Sequence, residues 1–295
     1  MIILSGNSNH QLASKIADYL KLPLGKALVG TFADGEIKVE IDEKIAGKEV
    51  FIIQSTCPPV NHNLMEFLLM VDAVRRADAA KITAILPYFC YSRQDKIAAG
   101  VSPVSARLVA DLIAAAGVNR VITLDIHSDQ SIGFFNMPII NLTARPAFIN
   151  YLKQNDENFI IVSPDAGGVK RARAYANELK TELAVISKKR DVANQISSMQ
   201  IIGEVRDKNV LIIDDLIDTG RTLVEAAKAL KENGANTISV CATHAVLSGE
   251  AVKLIDESEL SEVIVSDSIP LSDAAKNSSK FKIVSVAEIL ASSLK

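Results

Sequence analysis

Short apolar runs recur along the chain at regular intervals. VFIIQ (50–54), KITAILP (81–87), RVITLDI (120–126), FIIVS (159–163), LAVIS (183–187), NVLIID (209–214) and TISVCA (237–242) are apolar almost throughout. A strand with one wet face alternates apolar and polar positions, whereas a strand covered on both faces does not. Segments of helical period lie between the runs, at 62–77, 103–116, 168–180 and 222–233. Strand and helix in turn predict an α/β protein with mainly parallel sheets.

The pattern also repeats. GKEVFIIQ (47–54), a helix and AAKITAILPY (79–88) parallel DKNVLIID (207–214), a helix and GANTISVCATH (234–244), with a longer connection in the first copy. Two similar α/β domains in tandem follow. Their boundary is expected between residues 142 and 146, after the apolar segment GFFNMPII, giving domains 1–146 and 147–295.

Composition narrows the class. At 295 residues, 48% hydrophobic and 23% charged, the chain can bury a sizeable core and is not disordered. A net charge of −3 gives no electrostatic reason to expect nucleic acid. No apolar run reaches the ~18 residues that span a bilayer, and MIILSGNSNHQ lacks the charged and apolar regions of a signal peptide. Cys57, Cys90 and Cys241 are far apart with no CxxC pair, as befits buried thiols in a reducing cytoplasm.

The chemistry concentrates where apolar runs end. In VLIIDDLIDTGRTLVEAAKAL (210–230), Asp214 and Asp215 follow four apolar residues, and Asp218-Thr219-Gly220-Arg221-Thr222 leads into a helix. Ligands of doubly wound sheets sit at carboxyl strand ends. Both acids are expected there, because burying two carboxylates mid-sheet is costly. The helix start offers backbone N–H groups and a favourable dipole to an anion, Thr219 and Thr222 add hydroxyls, and Gly220 permits close approach. An anion turn beside two acids suits a phosphorylated sugar; the bland alternative is an N-cap with solvated charges.

Other strand ends are less specific. DIHSDQ (125–130) places Asp125, His127 and Asp129 alternately in a loop, suited to a divalent metal or to ordinary hydrogen bonding. In VSPDAGGVKRARAYA (162–176), Asp165 ends a strand, Gly167 and Gly168 allow a tight turn, and Lys170, Arg171 and Arg173 read as a solvated helix face. GTFADGEIKVEI (30–41) reads as a hairpin turn between β-like runs. PYFCYSRQDK (87–96) carries the donor-rich Arg93, Gln94 and Asp95. ISKKR (186–190) ends a strand with three cations.

In their order along one chain, FADGE, IIQST, YSRQD, DIHSDQ-GFF, VSPDAGGVKRAR, SKKR, IIDDLIDTGRT and CATHAVLSG resemble the ribose-phosphate diphosphokinase family over nearly the full length. DTGRT alone says only phosphoribosyl binding. The resemblance implies two phosphoribosyltransferase-like domains, with the last ~12 residues packing on the first. It implies transfer of the diphosphoryl group of ATP to the C1 hydroxyl of ribose 5-phosphate, with Mg²⁺ as cofactor. Phe32, Asp34, Gly35 and Glu36 would bind ATP from a neighbouring subunit of a homo-oligomer, dimer or hexamer, together with Arg93, Gln94 and Asp95. His127 and Asp165 would serve the metal. Lys188 and Arg190 would be catalytic, and Arg190, Asp214, Asp215 and residues 218–222 would hold ribose 5-phosphate. The alternatives are a nucleobase phosphoribosyltransferase and a catalytically silent regulatory paralogue.

Three departures from the family pattern stand out. Ser187 replaces the usual Asp before Lys188, Ala245 replaces a common Pro, and the often basic loop after Asp95 reads KIAAGVS (96–102). Its small residues and Gly100 suggest a lid that excludes water rather than a charge donor.

Overall fold

The computed structural model describes residues 1–98, 100–154, 159–190 and 196–294, with backbone alone at 188–190 and 196–198. The chain divides into two compact α/β units. The first comprises Met1–Thr143, Ser268–Pro270 and the chain from Ser285 onward; the second comprises Ala144–Asp267 and Leu271–Val284.

The first unit contains β1 (Ile2–Ser5), α1 (His10–Leu20), β2 (Ala27–Thr31), β3 (Ile37–Ile41), β4 (Glu49–Ile53), α2 (Val60–Arg76), β5 (Lys81–Leu86), α3 (Ser105–Ala116), β6 (Arg120–Leu124) and β7 (Ile139–Leu142), with a 3₁₀ turn at Asp129–Phe134. Its main sheet is parallel throughout, in the order β1-β4-β5-β6-β7. Val50, Phe51, Ile52 and Ile53 of β4 are all buried, which explains why that run shows no alternation. On α2 the inward residues Asn63, Glu66, Phe67, Met70 and Val74 follow the i, i+3, i+4 pattern of one helix face. The antiparallel β2–β3 hairpin forms a sheet of its own.

The second unit contains α4 (Arg145–Gln154), β8 (Phe159–Ser163), α5 (Val169–Leu179), β9 (Leu183–Arg190), β10 (Ile196–Ile202), β11 (Asn209–Ile217), α6 (Arg221–Glu232), β12 (Ile238–Ala245), α7 (Ala251–Asp256), β13 (Glu262–Ser266), α8 (Asp273–Asn277) and β14 (Phe281–Val284). Its sheet runs β10-β9-β8-β11-β12-β13-β14, and only β10 is antiparallel to its neighbour. Leu223, Ala226, Ala227 and Leu230 form the buried stripe of α6. Each fully buried leucine contributes about 1.5–3 kcal/mol. The chain then returns to the first unit as α9 (Ala287–Ser292), which packs against α1.

The repeat extends through the whole topology. Strand, helix, hairpin, strand, helix, strand occurs as β1-α1-β2-β3-β4-α2-β5 and again as β8-α5-β9-β10-β11-α6-β12. The strand order β1-β4-β5-β6-β7 matches β8-β11-β12-β13-β14. The difference lies in the hairpins: β9 joins β8 in the sheet, whereas β2 is preceded by a single parallel bridge from Leu24 to Ile3. Among the described residues no helix is long and apolar enough to cross a membrane.

Candidate active site

In the second unit the site centres on the junction of β11 and α6. The sequence predicts a strand that ends at Asp214, because burying two carboxylates in a sheet is costly. The strand in fact continues to Ile217, pairing Asp214 with Ala242 and Ile217 with Ala245 of β12. Asp215 is 4% exposed. Two features make this tolerable. The β8 side of the register stops at Ile212, so Asp214 and Asp215 lie beyond their β8 neighbour. In addition, Arg171 brings Nη1 within 3.3 Å of Asp214 Oδ1 and 3.2 Å of Asp215 Oδ1.

Arg171 is therefore not the solvated helix charge expected from the sequence. It stands three residues after the N-cap Gly168 of α5, where side chains lean back toward the helix start. Asp214 Oδ1 also accepts the Asp215 N–H at 2.9 Å. Burial and the adjacent Asp215 carboxylate push Asp214 up to about 7, against the pull of Arg171.

Past Ile217 the chain enters the turn 218–222. The Ser248 N–H donates to the Asp218 carbonyl at 3.0 Å, and the Leu247 N–H to the Ile217 carbonyl at 3.0 Å, so a neighbouring loop fixes the turn. Gly220 is the N-cap of α6 with φ +73°, a left-handed conformation that a side chain resists. No side chain caps this helix and its first turn carries no acid. Thr219, Arg221 and Thr222 are exposed beside it. Its amino terminus thus presents N–H groups and a positive dipole end to solvent, as an anion site requires. Asp165 follows the adjacent strand β8, and one of its oxygens accepts the Gly168 N–H at 2.9 Å. The side chains of Lys188 and Arg190 lie outside the described residues; their backbone forms the end of β9, with Lys188 opposite Met199.

In the first unit, Phe32, Asp34, Gly35 and Glu36 occupy the tip of the β2–β3 hairpin. The Phe32 N–H donates to the Glu36 carbonyl at 2.7 Å, and the Glu36 N–H to Asp34 Oδ1 at 3.0 Å. Phe32 is 51% exposed despite its size. Arg93, Gln94 and Asp95 follow β5. Gln94 fastens this loop to α3: its Oε1 accepts the Ser105 hydroxyl at 2.6 Å and its carbonyl accepts the Ala106 N–H at 3.1 Å. Asp95 meets the segment after β6, where Gln130 Nε2 donates to it at 2.7 Å. Partial burial works to raise Asp95, but hydrogen bonds from Gln130 and Ser128, its own backbone and the nearby His127 ring outweigh it and hold the group below the usual range. His127 and Asp95 are thus brought together, a pairing not read from the sequence. In the loop 96–102, the Ala98 N–H donates to Ser102 Oγ at 3.1 Å and Val101 is fully exposed, while Ala99 lies outside the described residues.

The described residues contain no cluster of three or more His, Cys, Asp or Glu side chains that could hold a metal. The donors His127 with Asp95, and separately Asp165, are sparse. That fits magnesium, which keeps several waters and is bound through one or two protein groups plus substrate phosphates. A cavity of about 690 Å³, lined in part by Lys153, Lys180 and Asn209, opens at the amino ends of the β8 and β11 strands, away from this chemistry.

Both units are phosphoribosyltransferase-like α/β domains, and in the second the acid pair of β11 leads into the anion-receptive helix start of α6. Residues 1–117 match the family model described as the N-terminal domain of ribose phosphate pyrophosphokinase, and residues 190–295 the model described as the phosphoribosyl synthetase-associated domain. A ribose-phosphate pyrophosphokinase of Ralstonia nicotianae is 50% identical over 293 residues, covering 99% of this chain and 93% of that protein. One from Campylobacter jejuni is 49% identical over 290 residues, covering 98% and 93%. The crystal structure of phosphoribosylpyrophosphate synthetase from Mycobacterium smegmatis superposes with a TM-score of 0.93 at 38% identity, over 99% of this chain and 97% of that one. The chain belongs to the ribose-phosphate pyrophosphokinase family of enzymes.

Proposed function

We propose that the enzyme transfers the β,γ-diphosphoryl group of ATP to the C1 hydroxyl of ribose 5-phosphate, releasing AMP and 5-phosphoribosyl 1-diphosphate. The observation that carries this reading is the β11–α6 junction, where an acid pair held by Arg171 runs into a helix start with no side-chain cap. The 5-phosphate binds at residues 218–222, and Asp214 with Asp215 orients the ribose hydroxyls. Binding the sugar from both ends fixes the C1 oxygen for in-line attack, which is most of what such a transfer requires of the protein. Phe32 offers an exposed aromatic face to adenine, with Asp34, Gly35 and Glu36 beside it. Arg93, Gln94 and Asp95 receive the polyphosphate. Lys188 and Arg190 meet the charge that develops on the transferred group. Magnesium would be served by His127 in the first unit and, separately, by Asp165 in the second, and would neutralise phosphate charge.

A nucleobase phosphoribosyltransferase needs the second unit's turn but not Arg93, Gln94 and His127 in a first unit. Relatives that span nearly the whole chain support the synthetase reading over it. Phe32 serves a neighbouring subunit's nucleotide, so the active form is a homo-oligomer. The test is incubation with ATP, ribose 5-phosphate and Mg²⁺. AMP and phosphoribosyl diphosphate should appear in equal amounts. ADP in place of AMP, or no nucleotide product, overturns the reading.

A further inference from the structure

Glu66 is 1% exposed and lies on the inward stripe of α2, flanked by Asn63, Phe67 and Met70. A carboxylate there is costly unless its oxygens are met. Oε1 accepts the Asn7 backbone N–H at 2.7 Å and Gln54 Nε2 at 2.7 Å, and Oε2 accepts Asn7 Nδ2 at 3.0 Å. His62 Nε2 stands 3.9 Å from Oε2. Gln54 is fully engaged: its Oε1 accepts the Ser8 N–H and hydroxyl, and its Nε2 also reaches the Asn63 carbonyl. Gly6 is packed so tightly here that a Cβ would stand 2.3 Å from Gln54 Oε1 and 2.8 Å from Glu66 Oε1.

Asn7 Nδ2 makes a second bond, to the Val29 carbonyl of β2 at 3.1 Å. Val29 stands three residues before Phe32. No residue of β2 or β3 is buried, so the hairpin has no core of its own to hold its attitude. Its foot is tied by the Gly25 N–H to the Ile3 carbonyl at 2.7 Å, and β3 rests on α2. The Asn7 bridge is the polar tie partway up the strand.

We propose that Glu66 is a positioning residue which, through Asn7, sets the hairpin and hence the loop Phe32–Glu36. The proposal rests on the reading of that loop as part of the nucleotide site. The requirement is for a carboxylate. The Asn7 amide nitrogen donates one hydrogen to Glu66 and the other to Val29. An amide at position 66 would turn a donor either on Asn7 Nδ2 or on the Asn7 N–H and Gln54 Nε2. Rotating the Asn7 amide to accommodate it would aim oxygen at the Val29 carbonyl. Glu66→Gln, nearly isosteric, therefore uncouples the hairpin.

The test uses the full-length enzyme and two readouts: hydrogen exchange across residues 27–41, and steady-state kinetics. Should Glu66→Gln fold poorly, Asn7→Ala suffices, since it changes an exposed side chain and keeps the backbone N–H on Glu66. Both variants should speed exchange in 27–41 about tenfold without changing β4 or β5. The KM for ATP should rise about five- to tenfold, with kcat and the KM for ribose 5-phosphate within about twofold. Unchanged exchange in Asn7→Ala overturns the inference, as does an equal loss in every kinetic parameter. Phe32→Ala separates the two claims. If it raises the KM for ATP and Asn7→Ala does not, the positioning role fails and the nucleotide reading stands. If Phe32→Ala leaves that KM unchanged, the reading fails and takes the inference with it.

Discussion

Arg171 Nη1 lies 3.2 Å from Oδ1 of Asp215, whose side chain is 6% exposed. The buried acid thus takes its countercharge from a helix that follows a different strand. Removing one partner of such a pair leaves an uncompensated charge. Arg171→Leu should lower the unfolding free energy by about 2–4 kcal/mol, read from urea midpoints. Adding Asp215→Asn should recover part of the loss. A single-variant loss under about 0.5 kcal/mol would return Arg171 to the solvated face.

Asp214 sets a pH dependence. Pushed up to about 7, it holds its proton in the folded chain where an unfolded carboxyl has released it. Its contribution to stability is present near pH 4 and is lost as pH rises through about 7. Asp214→Asn keeps the acceptor for the Asp215 N–H. Without ligands its Tm should match wild type near pH 4 and exceed it by at least about 2–4 °C at pH 8. A difference that is the same at both pH values contradicts the raised group.

Gly220 has φ +73°, and an added Cβ would meet the Ala251 carbonyl at an ordinary 3.5 Å. The cost of Gly220→Ala is therefore conformational, about 1–2 kcal/mol of stability. If the turn carries the 5-phosphate, as proposed, the KM for ribose 5-phosphate should rise about tenfold or more, with that for ATP little changed. Equal effects on both substrates would detach the turn from the sugar.

Lys188→Ala should lower kcat by roughly 10²–10⁴ with little change in KM, as expected for a group that meets charge only in the transition state. Mixing inactive Lys188 and Phe32 variants under subunit exchange should restore activity through hybrid sites. No recovery despite demonstrated exchange would mean that each site is built within one chain.

The loop 96–102 holds one cation, Lys96, which is exposed. Lys96→Ala should cost under about 1 kcal/mol in kcat/KM, and Arg93→Ala about 2 kcal/mol or more. Measured at one salt concentration, the reverse order would make the loop a charge donor rather than a lid.

The strands β4, β5, β6, β8 and β12 are legible in the sequence because both their faces are buried, which leaves an unbroken apolar run. The hairpin β2–β3 is legible from its Ala-Asp-Gly turn, but the short β13, β14 and α7–α9 are not, since four to six residues carry too little period to read. The Asp-Asp and DTGRT turn is legible as a strand-to-helix junction. Its counterion is not: Arg171 is 43 residues from Asp214, and one helix face looks like any other until the strand beside it is known. Glu66 was within reach. The helical period aligns it with Asn63, Phe67, Met70 and Val74, and an acid on an apolar stripe announces a buried polar network.

The first unit is not finished where its strands end. Leu12, Ala13, Ile16 and Ala17 of α1 are buried in a unit whose helix α9 supplies Ala287, Leu290 and Ala291, also buried. Ser268 adds its carbonyl to the Ser55 hydroxyl at 2.6 Å. A ribosome adding about 5–20 residues per second makes α1 well before α9. Throughout that interval the apolar face of α1 lacks its final cover, so the unit begun before the other is completed only once α9 has been made. A chain cut short at any point before α9 leaves that face bare, and is marked for aggregation or proteolysis at α1 rather than at the cut.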